Sequence, residues 1–83
     1  MIEVYTRKET CLWCNNALHK LHDAGYTYKE LVIGDDISRN DFIQKFYPNE
    51  TNPRPTAPQI SINNVHIGGY EDLLKWLEQN QLT

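Results

Sequence analysis

The chain is defined first by what it lacks. None of its 83 residues belongs to an apolar run approaching the roughly 20 residues that cross a bilayer. That excludes a membrane-spanning helix. Met1 opens no charged, then apolar, then small-residue pattern of a secretion leader, so the expected compartment is the reducing cytoplasm. Positive charge is also scarce: 8 Lys and Arg against 11 Asp and Glu leave a net charge of −3. Such a chain has no general basic footprint for nucleic acid. Its 2 cysteines are too few for the disulfide framework of a secreted mini-protein. Repeats and low-complexity tracts are absent. A chain of this length has room for one small domain, expected over 1–83.

What is present is concentrated in one tetrapeptide, Cys11-Leu12-Trp13-Cys14. It follows a strand-like alternation, Ile2 to Thr6, across a polar link, Arg7 to Thr10. It opens a helical pattern that runs to about Ala24, with Leu12, Ala17, Leu18, Leu21 and Ala24 as its apolar residues and Gly25 as its stop. A two-residue gap puts both sulfurs near the first helical turn. Backbone N–H groups and the helix dipole favour negative charge there, so a thiolate is stabilised. The pattern points to a nucleophile and to thiol–disulfide exchange.

The remaining elements follow in order. Tyr26 to Ile33 reads as a second strand and Gly34-Asp35-Asp36 as a turn. Ser38, with Asp41 three residues on, opens a helix whose apolar face is Phe42, Ile43, Phe46 and Tyr47 and which ends at Pro48. Asn49 to Pro58 is a proline-restricted loop. Gln59 to Ile62 and Val65 to Ile67 form a hairpin around Asn63-Asn64, and Gly68-Gly69 ends it. Tyr70 to Gln79 is the last helix, with Leu73, Leu74, Trp76 and Leu77 as its buried stripe. The order β-α-β-α-β-β-α implies one mixed sheet, parallel in its first unit and antiparallel in its closing hairpin, with helices packed on it.

C-x-x-C beside a βαβ unit is the mark of a thioredoxin-like redox motif. Three segments narrow it. Tyr5-Thr6 followed by Lys8-Glu9-Thr10-Cys11-Leu12-Trp13-Cys14 resembles the active-site entry of glutaredoxins. Thr56-Ala57-Pro58-Gln59-Ile60 resembles their T-V-P loop, whose proline is cis. Gly68-Gly69-Tyr70-Glu71-Asp72 resembles their G-G-x-x-D glutathione segment. The resemblance runs from Ile2 to about Leu77 and is to a small dithiol glutaredoxin.

The resemblance implies an α/β, thioredoxin-like fold with a four-stranded mixed sheet and three helices. It implies a glutathione-dependent thiol–disulfide oxidoreductase with Cys11 as nucleophile and Cys14 as resolving thiol. Lys8 and Arg54 are expected near the glycine carboxylate of glutathione, and Lys8 adds positive charge beside the thiolate. Trp13 stands where the family usually has Tyr, lining the same groove. Ala57 and Pro58 are expected to pair main-chain groups with the cysteinyl part. Glu71 and Asp72, with the backbone around Gly69 and Tyr70, are expected to hold the γ-glutamyl end. Expected partners are glutathione, glutathionylated proteins and the disulfide of ribonucleotide reductase, met by a monomer. The chain departs from the family pattern in two places. C-L-W-C replaces C-P-Y-C, which restores an N–H at position 12, and one extra residue, Arg7, precedes Lys8.

Blander readings stand beside these. His19, His22 and His66 invite a zinc site with the cysteines, but Cys14 and His19 are too close to fold a finger between them, so no metal is expected. His19 and His22 read as solvated helix residues. Pro58 read alone is a strand-start proline, and Asp72 a helix-start acid favoured by the dipole. Two alternative functions share the fold: a disulfide reductase served by thioredoxin reductase, and a carrier of an iron–sulfur cluster ligated by Cys11 and glutathione.

Overall fold

The computed structural model describes residues 1–80, so the last three residues of the expected domain lie outside it. Strand β1 (Ile2–Arg7) leads to helix α1 (Leu12–Asp23), strand β2 (Lys29–Ile33) and helix α2 (Arg39–Phe46). Strands β3 (Gln59–Ile62) and β4 (Val65–Gly68) and helix α3 (Tyr70–Gln79) follow. The sheet order is β2-β1-β3-β4. β1 pairs parallel with β2, antiparallel with β3, and β3 pairs antiparallel with β4. The element order and mixed pairing are those expected from the sequence.

The period of two along β1 sorts its side chains onto two faces. Ile2 and Val4 join Ala17 and Leu21 of α1, Ile60 of β3 and Leu73 of α3 in the main core. Tyr5 points the other way, with its ring 5.8 Å from that of Phe42 and 4.9 Å from that of Phe46. Helices α1 and α3 therefore cover one face and α2 the other. The central strand carries the Cys11 turn out between two buried layers.

Local chemistry fixes the boundaries. Ser38 Oγ accepts from the N–H of Asp41 at 3.0 Å and starts α2. Gly25, at φ +84, ends α1 while its N–H bonds His22 O. Asn63 and Asn64 both take positive φ, 51 and 67, which suits the two-residue hairpin turn.

Three expectations are corrected. β2 begins at Lys29 rather than Tyr26. Tyr26 is engaged elsewhere: its N–H bonds Leu21 O, and its ring packs 5.3 Å from Trp76. Leu12 is 64% exposed, because it lies roughly 140° around the helix from Ala17. Leu74 is 36% exposed, since it lies roughly 100° around from Leu73, at the edge of the stripe that Leu73, Trp76 and Leu77 form.

Candidate active site

β1 delivers the chain to the cysteines, and a short turn aims them. The Arg7 guanidinium donates to Thr10 O at 2.8 Å and closes that turn. Cys11 is the extended N-cap of α1, at φ −139, and its Sγ accepts the N–H of Cys14 at 3.2 Å. The sulfur thus takes the place a serine or threonine oxygen takes at other helix starts. The first turn of α1 carries no acidic residue to oppose negative charge there. Cys11 and Cys14 are joined as a disulfide, with Cα atoms 5.2 Å apart. Cys11 is the less buried of the two, 6% exposed against 2%.

Next to the cysteines, with Trp13 and Ala57 on its lining, lies a groove of about 490 Å³. One wall is Thr56, Ala57 and Pro58, with the Ala57–Pro58 peptide cis as the sequence match predicts. Cys11 Sγ lies 3.8 Å from Ala57 O, so the reactive pair and this wall touch. Trp13 and Tyr70 close the groove as a pair of rings 5.2 Å apart, and Leu74 adds an apolar edge. The far wall is the start of α3. Gly68 has φ +129, and a Cβ there would run into the Asp72 carboxylate. A Cβ on Gly69 would stand 3.6 Å from Pro58 O, so the two walls nearly meet. Asp72 Oδ2 accepts the N–H of Gly69 at 3.0 Å, which makes it the acid that caps its own helix. Glu71 lines the groove beside it.

The two expected cations are placed differently. Lys8 lines a second cleft of about 340 Å³ that shares Thr56 and Ala57 with the groove, together with Arg7 and Arg39. Its Nζ is 3.0 Å from Asp35 Oδ1, an exposed pair. Arg54 is exposed in the loop and lines neither the groove nor this cleft. The structure therefore brings Trp13, Ala57, Pro58, Gly69, Tyr70, Glu71 and Asp72 together, sets Lys8 in the second cleft, and leaves Arg54 outside.

Sequence reasoning did not single out Thr56, Leu74 or Arg39. Thr56 was within reach, being the first residue of the T-A-P match. Leu74 read as core, and Arg39 reaches the cleft only through the packing of α2. Behind the Thr56 wall stands another unforeseen pair. Gln59 Nε2 donates to Thr56 O and Thr56 Oγ1, both at 3.1 Å, and His66 Nε2 is 2.7 Å from Gln59 Oε1. His66 is exposed as a whole residue, but partial desolvation of its ring lowers its pKa from the ordinary value, with the Asp72 charge opposing. His19 and His22 are exposed beside Leu18 and Tyr28. Among the described residues, no three His, Cys, Asp or Glu side chains cluster in a way that could hold a metal.

The glutaredoxin family model matches residues 2–67. Glutaredoxin 3 of Escherichia coli strain K12 is 40% identical over 73 residues, spanning 87% of this chain and 80% of that protein. The crystal structure of Glutaredoxin 1 from Francisella tularensis, complexed with cacodylate, is 28% identical with a TM-score of 0.69, covering 95% of this chain and 92% of its own. Reduced Escherichia coli glutaredoxin is 29% identical with a TM-score of 0.68, covering 95% and 94%. The paired Cys11 and Cys14 suit thiol–disulfide exchange. The chain belongs to the glutaredoxin family, and it is a thiol–disulfide oxidoreductase whose cosubstrate is glutathione.

Proposed function

We propose that glutathione, free or as a mixed disulfide, lies along the groove between the Thr56–Pro58 wall and the start of α3, with its sulfur at Cys11. The observation that carries this is the 3.8 Å approach of Cys11 Sγ to Ala57 O, which sets the sulfur against a residue of the groove wall. Ala57 and Pro58 offer backbone to the cysteinyl part. Trp13 and Tyr70 cover it from above, and the helix start at Gly69 and Tyr70, with Glu71 and Asp72, receives the γ-glutamyl end. Lys8, in the second cleft, supplies positive charge for the glycine carboxylate. Arg54, expected at that end, lines neither cavity and is given the lesser part.

The chemistry then needs few parts. The Cys11 thiolate attacks the glutathione sulfur of a mixed disulfide, a new S–S bond forms, and the protein thiolate leaves. A second glutathione thiolate attacks the bound glutathione sulfur, forming glutathione disulfide and returning Cys11 as thiolate. With a protein disulfide, Cys11 forms the mixed disulfide, and Cys14 attacks Cys11 Sγ to release the reduced protein. That exit leaves the Cys11–Cys14 bond. The N–H of Cys14 that bonds Cys11 Sγ stabilises the thiolate each time it leaves.

The proposal extends to glutathionylated proteins and the disulfide of ribonucleotide reductase as substrates, met by a monomer in the cytoplasm; these rest on the family resemblance. The test is turnover of a glutathionylated peptide with glutathione, glutathione reductase and NADPH. A saturable rate that disappears in Cys11→Ser supports the reading. A chain inactive with glutathione but active with thioredoxin reductase overturns it.

A further inference from the structure

The groove and the second cleft share two residues, Thr56 and Ala57. Gln59 holds Thr56. This side chain, on a residue only 6% exposed, reaches back three residues to give its N–H groups to Thr56 O and Thr56 Oγ1. Both Thr56 partners are acceptors in that arrangement, so the amide must present its nitrogen to Thr56 and its oxygen away. An amide can rotate by half a turn and exchange the two. The rotated form would put Gln59 Oε1 against Thr56 O, two acceptors in contact.

His66 adds its weight to the first form. Its Nε2 meets Gln59 Oε1 at 2.7 Å, which is a bond only if Nε2 carries a proton. The ring is itself held by Phe46, 4.5 Å between centroids, and Phe46 packs on Tyr5 of the central strand. Phe46 therefore helps place the ring, the ring and Thr56 together orient the amide, and the amide holds Thr56. Nε2 keeps its proton in both the neutral Nε2–H form and the imidazolium, so the chain of bonds survives titration of the ring.

We propose that His66 is a positioning residue for substrate binding, which acts through Gln59 to hold Thr56 and the following Ala57–Pro58 backbone at the spacing the groove requires. The inference rests on the reading that glutathione lies in that groove. His66 touches neither the cysteines nor the groove, and its effect falls on substrate affinity rather than on sulfur chemistry.

The test compares His66→Phe, which keeps a ring on Phe46 but cannot donate, with His66→Gln, which restores a donor. With a glutathionylated peptide as varied substrate, His66→Phe is expected to raise KM about fivefold, the size of one neutral hydrogen bond, while kcat stays within about twofold. His66→Gln is expected to recover most of the loss. An unchanged KM in a His66→Phe protein that melts as a folded chain overturns the proposal, as does a His66→Gln variant no better than His66→Phe. Nitrogen-15 NMR of the wild-type ring needs neither variant nor substrate. It must show Nε2 protonated in the neutral form, and an Nδ1-protonated ring overturns the proposal even if His66→Phe fails to fold. A wild-type chain with no turnover of the peptide defeats the glutathione reading instead. The positioning claim is then judged on the tautomer and on the Thr56 and Ala57 amide shifts, which must move in His66→Phe and return in His66→Gln.

Discussion

The N–H of Cys14 points at Cys11 Sγ across 3.2 Å, so the resolving residue's own backbone supports the sulfur it will attack. The two cysteines therefore separate by substitution. Cys11→Ser is expected to abolish all exchange. Cys14→Ser retains that backbone donor and is expected to keep deglutathionylation while losing reduction of protein disulfides. Parallel assays with a glutathionylated peptide and with a protein disulfide check this. Equal loss of both activities in Cys14→Ser would remove the two-exit scheme.

Lys8 and Arg54 should now behave unequally. Lys8 lines the cleft next to the Thr56 wall and Arg54 does not. Lys8→Ala is expected to raise KM for the glutathionylated peptide by about twofold to fivefold, the range of an exposed charge contact. Arg54→Ala is expected to change it less. Higher ionic strength should shrink the Lys8 effect, and a larger loss in Arg54→Ala would reverse the assignment.

Gly68 is held at φ +129 with the Asp72 carboxylate where a Cβ would go. Gly68→Ala is expected to cost about 1–3 kcal/mol in urea unfolding, from the backbone conformation and the displaced cap together. Asp72→Asn keeps an oxygen for the Gly69 N–H and should cost less than 1 kcal/mol, roughly the loss of a charge–dipole contact. A Gly68→Ala protein as stable as wild type would show that the turn adapts.

Core and rim leucines give the clearest contrast. Leu21 is fully buried, and Leu21→Ala is expected to cost about 2–5 kcal/mol. Leu74, at 36% exposed, is expected to cost under about 1 kcal/mol as Leu74→Ala. Denaturation midpoints at equal slope measure both.

The lowered pKa of His66 has a sign in stability. As the pH falls through the ordinary value of 6.5, the unfolded chain takes up a proton on this residue before the folded chain does. The contribution is present above that pH and is lost as the pH falls through the lower folded value. The thermal midpoint of wild type is expected to drop further between about pH 7 and pH 5 than that of His66→Gln. Equal drops would mean that the partial desolvation of the ring is not felt.

The elements that the sequence made legible are those where one residue type has one physical use. Asn63-Asn64 marks a turn with two positive φ angles, Ser38 a cap, and Cys11 at a helix start a stabilised sulfur. The alternation in β1 foretold a strand with two faces, which α1 with α3 and α2 then cover. Legibility failed where tertiary contact decides. Nothing local says that Lys8 turns toward Asp35, that Arg39 joins it from α2, or that Tyr26 leaves β2 for Trp76. The Gln59–His66 bond joins residues on two strands across an irregular register between β3 and β4, which no periodicity predicts.

The chain has two tryptophans, in opposite settings. Trp13 is 55% exposed between the cysteines and against Tyr70, while Trp76 is half-buried against Tyr26 on the far helix. Their emission should therefore fall at different wavelengths, the first redder because it is wetter. A spectral change confined to the red side would report an occupant at the sulfurs. A change on the blue side would report loosening between α3 and the end of α1. Occupancy and unfolding can then be followed in one cuvette without attaching any label.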